Sequence, residues 1–101
     1  MICRSYRQFF LNFSNTANLR IISALRAGAQ SVNAIVARTG LEQSAVSHCL
    51  RKLRECRIVS AEKMGRERLY SLNEETVVPL LGLVEEHVEK NCKGCNAHGK
   101  K

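Results

Sequence analysis

Apolar and polar residues alternate along this chain in two rhythms, one helical and one extended. Over residues 1–13, Tyr6, Phe9, Phe10 and Phe13 fall at i, i+3, i+4 and i+7, a single stripe of a helix. Four aromatics on one short stripe must cover something, either the core of the same chain or a second copy of it. Asn15 or Thr16 can cap a second helix, which runs through Leu19, Ile22 and Leu25 and stops at Gly28. Ser31 caps a short third helix carrying Val32, Ile35 and Val36, closed by Thr39-Gly40. A fourth helix runs to about Arg54, with Val46, Leu50 and Leu53 on one side and Gln43, Ser44, Ser47, His48 and Arg51 on the other. The rhythm then changes. Ile58–Glu62 and Glu67–Leu72 read as two strands joined by the turn Lys63-Met64-Gly65-Arg66, a hairpin with a basic tip. A last helix is expected from Asn73, with Glu74 and Glu75 in its first turn. Pro79 would then lie too deep and kink it. Its stripe of Val77, Leu81, Val84 and Val88, flanked by Leu80, is wide enough for a partner helix.

The whole is mainly α with one β-hairpin, in the order α-α-α-α-β-β-α, and 101 residues are enough for one domain. A chain of this size often gains stability by forming oligomers. Residues 1–90 form the domain, and residues 91–101 are a polar, Cys-rich, basic tail. No apolar run reaches the ~18 residues of a membrane span, and no secretion signal follows Arg4 and Arg7, so a cytoplasmic protein with no membrane partner is expected.

Net charge is +7, which suggests a polyanionic partner. The charge is uneven. Seven Lys or Arg and three Glu lie between Arg51 and Arg68, whereas residues 74–89 hold five Glu and no Lys or Arg. Two short helices and a turn before a donor-rich helix, followed by a basic hairpin, describe a winged helix-turn-helix. In that architecture the recognition helix enters the major groove of double-stranded DNA and the wing lies along the backbone. Gln43, Ser44, Ser47 and His48 would reach base edges. Arg51, Lys63, Arg66 and Arg68 would meet phosphates, which give affinity without sequence information.

The stretch Leu41-Glu42-Gln43-Ser44-Ala45-Val46-Ser47-His48-Cys49-Leu50-Arg51-Lys52-Leu53-Arg54 resembles the recognition-helix signature of the ArsR/SmtB metal-sensing repressors. Gly65-Arg66-Glu67-Arg68-Leu69-Tyr70-Ser71-Leu72 is similar to that family's wing. The resemblance covers residues 15–90 in element order. It implies a homodimer built through the first and last helices, with Tyr6, Phe9, Phe10, Phe13, Val77, Leu81, Val84 and Val88 at the interface. It also implies an inverted-repeat operator that is released when an inducer binds.

The family's sensing sites can be compared position by position. Ser31 and Asn33 stand where its thiolate site has a Cys-x-Cys. Glu74 and His87 match two positions of its zinc site, but Thr76 and Lys90 occupy the other two. Cys56 coincides with a ligand of the cadmium- and lead-sensing branch, whereas Lys52 stands where that branch has a second cysteine. Cys49 replaces a family histidine and reads as a small core residue.

Five cysteines, an odd number in a chain with no secretion signal, favour thiolate ligands or a redox switch over a disulfide framework. Cys92-Lys93-Gly94-Cys95 has the spacing that lets two sulfurs reach one ion. The expected metal ligands are Cys56, Cys92 and Cys95, with Cys3 and His98 as possible additions. Thiolates select arsenite, Cd(II), Pb(II), Zn(II) or Cu(I). No organic cofactor is implied. The leading expectation is therefore a repressor released by a thiophilic ion. Alternatives are a thiol-redox-responsive repressor and a constitutive DNA-binding regulator with no effector site. No His, Cys and carboxylate constellation outside the tail suggests an enzyme.

Overall fold

A computed structural model describes residues 4–92 of the chain. The elements are α1 (Tyr6–Leu11), α2 (Thr16–Leu25), α3 (Val32–Thr39), α4 (Gln43–Glu55), β1 (Val59–Met64), β2 (Glu67–Leu72) and α5 (Val77–Asn91). The predicted order is observed. Cys3, Cys95 and His98 lie outside the described residues.

Caps set the helix starts, as expected at Asn15 and Ser31, and also at Ser5. Ser5, Asn15 and Ser31 each turn a side-chain oxygen onto the N–H three residues on, opening α1, α2 and α3. Gly40, at φ 76°, closes α3 in the left-handed region and its N–H donates to the Val36 carbonyl. That turn lets α4 leave at a sharp angle to α3.

Helices α2, α3 and α4 pack around Ile21, Ile35, Val46, Leu50 and Leu53, and Ile58 just beyond α4 completes this centre. Each such side chain contributes about 1.5–3 kcal/mol on burial. In α2 the inward residues are Ile21, Ile22 and Leu25, while Leu19, expected inside, is 43% exposed. Leu19 shares the outer face with Thr16 and Ser23, and the inward stripe starts one position earlier, with Asn18 and Ile21. Asn18 is buried, and its amide donates to the Asn12 carbonyl, tying the turn after α1 onto α2.

The hairpin pairs β1 with β2 antiparallel, in a register from Val59 opposite Leu72 to Met64 opposite Glu67. Strand β2 has the expected bounds, whereas β1 starts one residue later than expected and extends further towards the tip, because Lys63 and Met64 belong to it. The turn itself is therefore Gly65-Arg66, with Gly65 at φ 64° and Arg66 at negative φ, the combination a type II′ turn demands. At the hairpin's other end, Gln30 exchanges both backbone hydrogen bonds with Tyr70 and fixes the wing to the α2–α3 loop.

Two expectations about α5 need correction. Asn73 does not cap it. The Asn73 side chain accepts from the N–H groups of Glu75 and Thr76, making a local turn, and the helix begins only at Val77, leaving Glu74 and Glu75 outside it. Pro79 is therefore the third helical residue. Its missing N–H is one of the first-turn groups that have no intrahelical acceptor, so no kink is required. No described helix is long and apolar enough to cross a membrane.

Candidate nucleic-acid interface

Helix α4 divides cleanly into two faces. Val46, Cys49, Leu50 and Leu53 are buried, whereas Gln43, Ser44, Ser47, His48 and Arg51 are all exposed. The exposed set occupies i, i+1, i+4, i+5 and i+8, one side of a rod about 10–12 Å across, which a major groove about 12 Å wide admits. Burial pushes the Cys49 thiol above its ordinary range, with neighbouring Lys52 pulling the other way, which suits an uncharged core residue.

The wing adds charge that the fold itself does not use. Lys63 stands directly opposite Arg68 across the hairpin, and Arg66 sits in the turn beyond them. Like charges placed opposite one another destabilise a strand pair, so this arrangement does not help the fold. Among the described residues the ion pairs are Arg26 with Glu85 at 2.8 Å and Lys90 with Glu86 at 3.1 Å. Arg51, Lys63, Arg66 and Arg68 take part in neither.

Helix and wing are joined by a strained corner. Arg57 is the one described non-glycine residue at positive φ, 59°. Its N–H donates to the Arg54 carbonyl, and the Ile58 N–H reaches back to Leu53, a Schellman closure of α4. Asn73 holds the corner from the far strand, its side-chain amide donating to the Arg57 carbonyl and its N–H to that of Ile58. Sequence reasoning missed this corner, because a Schellman closure announces itself by glycine and here the position is arginine.

These features coincide with those of a known group. Residues 17–61 match the model of the bacterial regulatory protein arsR family. A transcriptional repressor SmtB homolog from a Synechocystis strain is 34% identical over 84 residues, 83% of this chain and 64% of that protein. The regulator NmtR of Mycobacterium tuberculosis is 40% identical over 73 residues, 72% of this chain and 61% of that protein. The chain thus spans a little under two thirds of the length of these curated relatives. Among solved structures, the antimony-specific transcriptional repressor AntR is 30% identical with a TM-score of 0.67, covering 80% of this chain and 74% of that one. The chain belongs to the arsR family. A homodimeric winged helix-turn-helix DNA-binding domain from Mycobacterium bovis, described as a possible ArsR-family regulator, superposes with a TM-score of 0.79 at 25% identity, over 91% of this chain and 85% of that one. The fold and its named relatives are those of transcription regulators, not enzymes.

As an arsR-family chain, it places the expected interface residues unequally. Tyr6 and Phe10 are 87% and 54% exposed, whereas Phe9 and Phe13 lean on the core. Phe13 lies beyond the end of α1, which stops at Leu11. In α5, Val84 and Val88 are exposed, Leu81 is half-buried, and Val77 is 1% exposed. Val77 is therefore a core residue with no surface to offer a second copy, a correction to its expected place at an interface. Its position one turn from Leu81 made the stripe look continuous. Leu83, 65% exposed, was missed because it lies one step off that stripe.

The cysteines divide as well. Cys56 caps the C-terminus of α4 and lines an open cavity of about 660 Å³ with Tyr6, Phe9, Phe10 and Leu80. It is disulfide-bonded, whereas Cys49 is a buried thiol. Cys92 caps the C-terminus of α5 and is absent from that cavity's lining. Among the described residues no group of three His, Cys, Asp or Glu could hold a metal ion. The family's zinc positions fit no better. The Lys90 ammonium pairs with Glu86, and the His87 ring faces Asn91. Ser31, where the family's thiolate site has a cysteine, is occupied as the α3 cap.

Proposed function

We propose that this chain is a homodimeric transcriptional repressor of the cytoplasm that binds an inverted-repeat operator and lets go when its cysteines react with a thiophilic metal or metalloid ion. Residues 1–90 form the DNA-binding and dimerisation domain, and residues 91–101 the sensing tail. Gln43, Ser44, Ser47 and His48 read base edges, and Arg51, Lys63, Arg66 and Arg68 hold phosphates. The observation that carries the DNA reading is the exposed donor face of α4 beside a wing whose cations oppose each other. The exposed apolar surface of α1 and α5 (Tyr6, Phe10, Leu83, Val84, Val88) supports a second copy as its cover.

Soft sulfur donors and the likeness to an antimony-specific repressor support a thiophilic effector. The donors would be Cys56, Cys92 and Cys95. Cys56 must first be a thiol, because a disulfide sulfur is no thiolate. Its place at the end of α4, against α1 and α5, is where a bond would pull on the recognition helix. A coupling of about 1–3 kcal/mol would lower operator affinity about 5–150-fold.

A second reading is favoured by the Cys56 disulfide. Two thiols, one of them Cys56, give up two protons and two electrons to an oxidant or persulfide, and the resulting S–S bond does what the ion would do.

One titration tests both readings. Reduced protein bound to DNA is treated with thiophilic ions and, separately, with oxidant, following ultraviolet absorption and DNA binding together. Release with a thiolate–metal charge-transfer band, lost in a Cys92→Ser, Cys95→Ser double variant that still binds DNA, is the expected result. Release by oxidant alone, without that band, moves the assignment to the redox reading. Unchanged affinity under every treatment rules out both.

A further inference from the structure

The first 41 residues contain five arginines and not one Asp or Glu, the first acid being Glu42. Of the arginines within the helical bundle, Arg26 reaches across the fold to Glu85. Arg20 and Arg38 have no such partner among the described residues. Both instead line a concave notch of about 580 Å³ between α2 and the end of α3, together with Leu19 and the hydroxyl residues Thr16, Ser23 and Thr39. Among the described residues no carboxylate borders it.

Helix dipoles explain part of this. Arg38 lies in the last turn of α3, where a cation is favoured. Arg20 stands in the middle of α2, where the dipole gives no such benefit, and the cluster of hydroxyls is likewise unexplained by it.

Position identifies the occupant. Thr39, on the notch's edge, is four residues before Gln43, so the two are separated by at most about 14 Å of chain. With the start of α4 in a major groove about 12 Å wide, whose walls are the phosphate backbones, a site this close meets a wall. The notch runs along α2 and is closed by Arg38 and Thr39 at the end of α3, the end from which the chain passes into α4.

We infer that Arg20 and Arg38 form a second phosphate clamp, which holds the DNA backbone beside the groove that α4 reads. The inference rests on the DNA-binding reading of α4. The two guanidiniums donate to phosphate oxygens, and Thr16 and Ser23 offer shorter hydroxyl donors to the same strand, while the Thr39 hydroxyl is spent on the Ile35 carbonyl.

The test is the salt dependence of DNA affinity for the reduced full chain, measured on a selected operator and on an unrelated duplex. Arg20→Gln and Arg38→Gln remove the charge and leave a shorter unbranched polar side chain, and equal thermal melting shows that the fold is retained. Each is expected to reduce the slope of log K against log salt by about 0.9, on both duplexes alike, since phosphate contacts carry no sequence information. Arg20→Lys and Arg38→Lys should restore most of that slope. Arg51→Ala and Arg66→Ala serve as comparators. If they reduce the slope and the Arg20 and Arg38 variants do not, the clamp is refuted and the DNA reading stands. A loss seen only on the operator also refutes it, because a base contact would then be at work. If the unaltered chain binds neither duplex, both readings fall together.

Discussion

Arg57 shows how one residue can reveal a constraint. An L-residue in the left-handed region costs about 1–2 kcal/mol, and glycine is the usual solution at a Schellman closure. Here an arginine is held at φ 59° by the backbone bonds of Leu53 and Arg54 and by Asn73 from across the hairpin. Arg57→Gly should therefore raise stability by about 1 kcal/mol, or about 4–8 °C in melting temperature at equal protomer concentration. Arg57→Ala should bring no such gain. Equal melting of the two variants would mean that the corner carries no strain. Cys49 and Cys56, seven residues apart, illustrate the opposite lesson, that identical side chains take their chemistry from burial. The first is a core residue whose thiol burial keeps protonated, and the second lines a cavity and is oxidised.

At the scale of elements, the hairpin's Lys63–Arg68 pair separates stability from binding. Arg68→Glu replaces a like-charged cross-strand pair by an opposite one, a change on the order of 0.2–1 kcal/mol in favour of the folded hairpin. The same substitution removes a cation from the wing and sets an acid against phosphate. Melting should rise or hold while DNA affinity falls at every salt concentration. A variant that melts higher and binds DNA as tightly as before would detach the wing from DNA. Most element boundaries were legible because their signals are local. Asn15, Ser31 and Gly40 each act through their own side chain or φ within a few residues, and the split of α4 into donor and apolar faces follows from spacing alone. The start of α5 was not legible. Asn73 has the chemistry of a cap, but it spends its oxygen on a turn and its two N–H donors on the end of α4, a contact that exists only after folding.

For the whole molecule, periodicity told which residues avoid water but not what covers them. Val77 and Val88 lie on one predicted stripe, yet the first is sealed in the core and the second is 44% exposed. Likewise, the family resemblance marked Cys56 and the sequence set it just past α4, but only the fold brings it against α1. The notch of Arg20 and Arg38 could have been suspected from the missing acids before Glu42, though its concavity arises from the packing of α2 on α3. The proposed function combines these features in a two-fold particle. The exposed residues of α1 and α5 would be its centre, and two copies of α4 its reading heads.

Selection of duplexes from a random pool by the reduced protein tests that account most directly. The expected product is one convergent sequence with two half-sites in inverted repeat, their centres a whole number of helical turns (about 10–10.5 base pairs each) apart. Gln43→Ala with Ser47→Ala should abolish the convergence but leave weak, salt-sensitive binding to any duplex. A pool that stays random after repeated selection, or convergence that survives the loss of those side chains, would contradict a recognition role for α4.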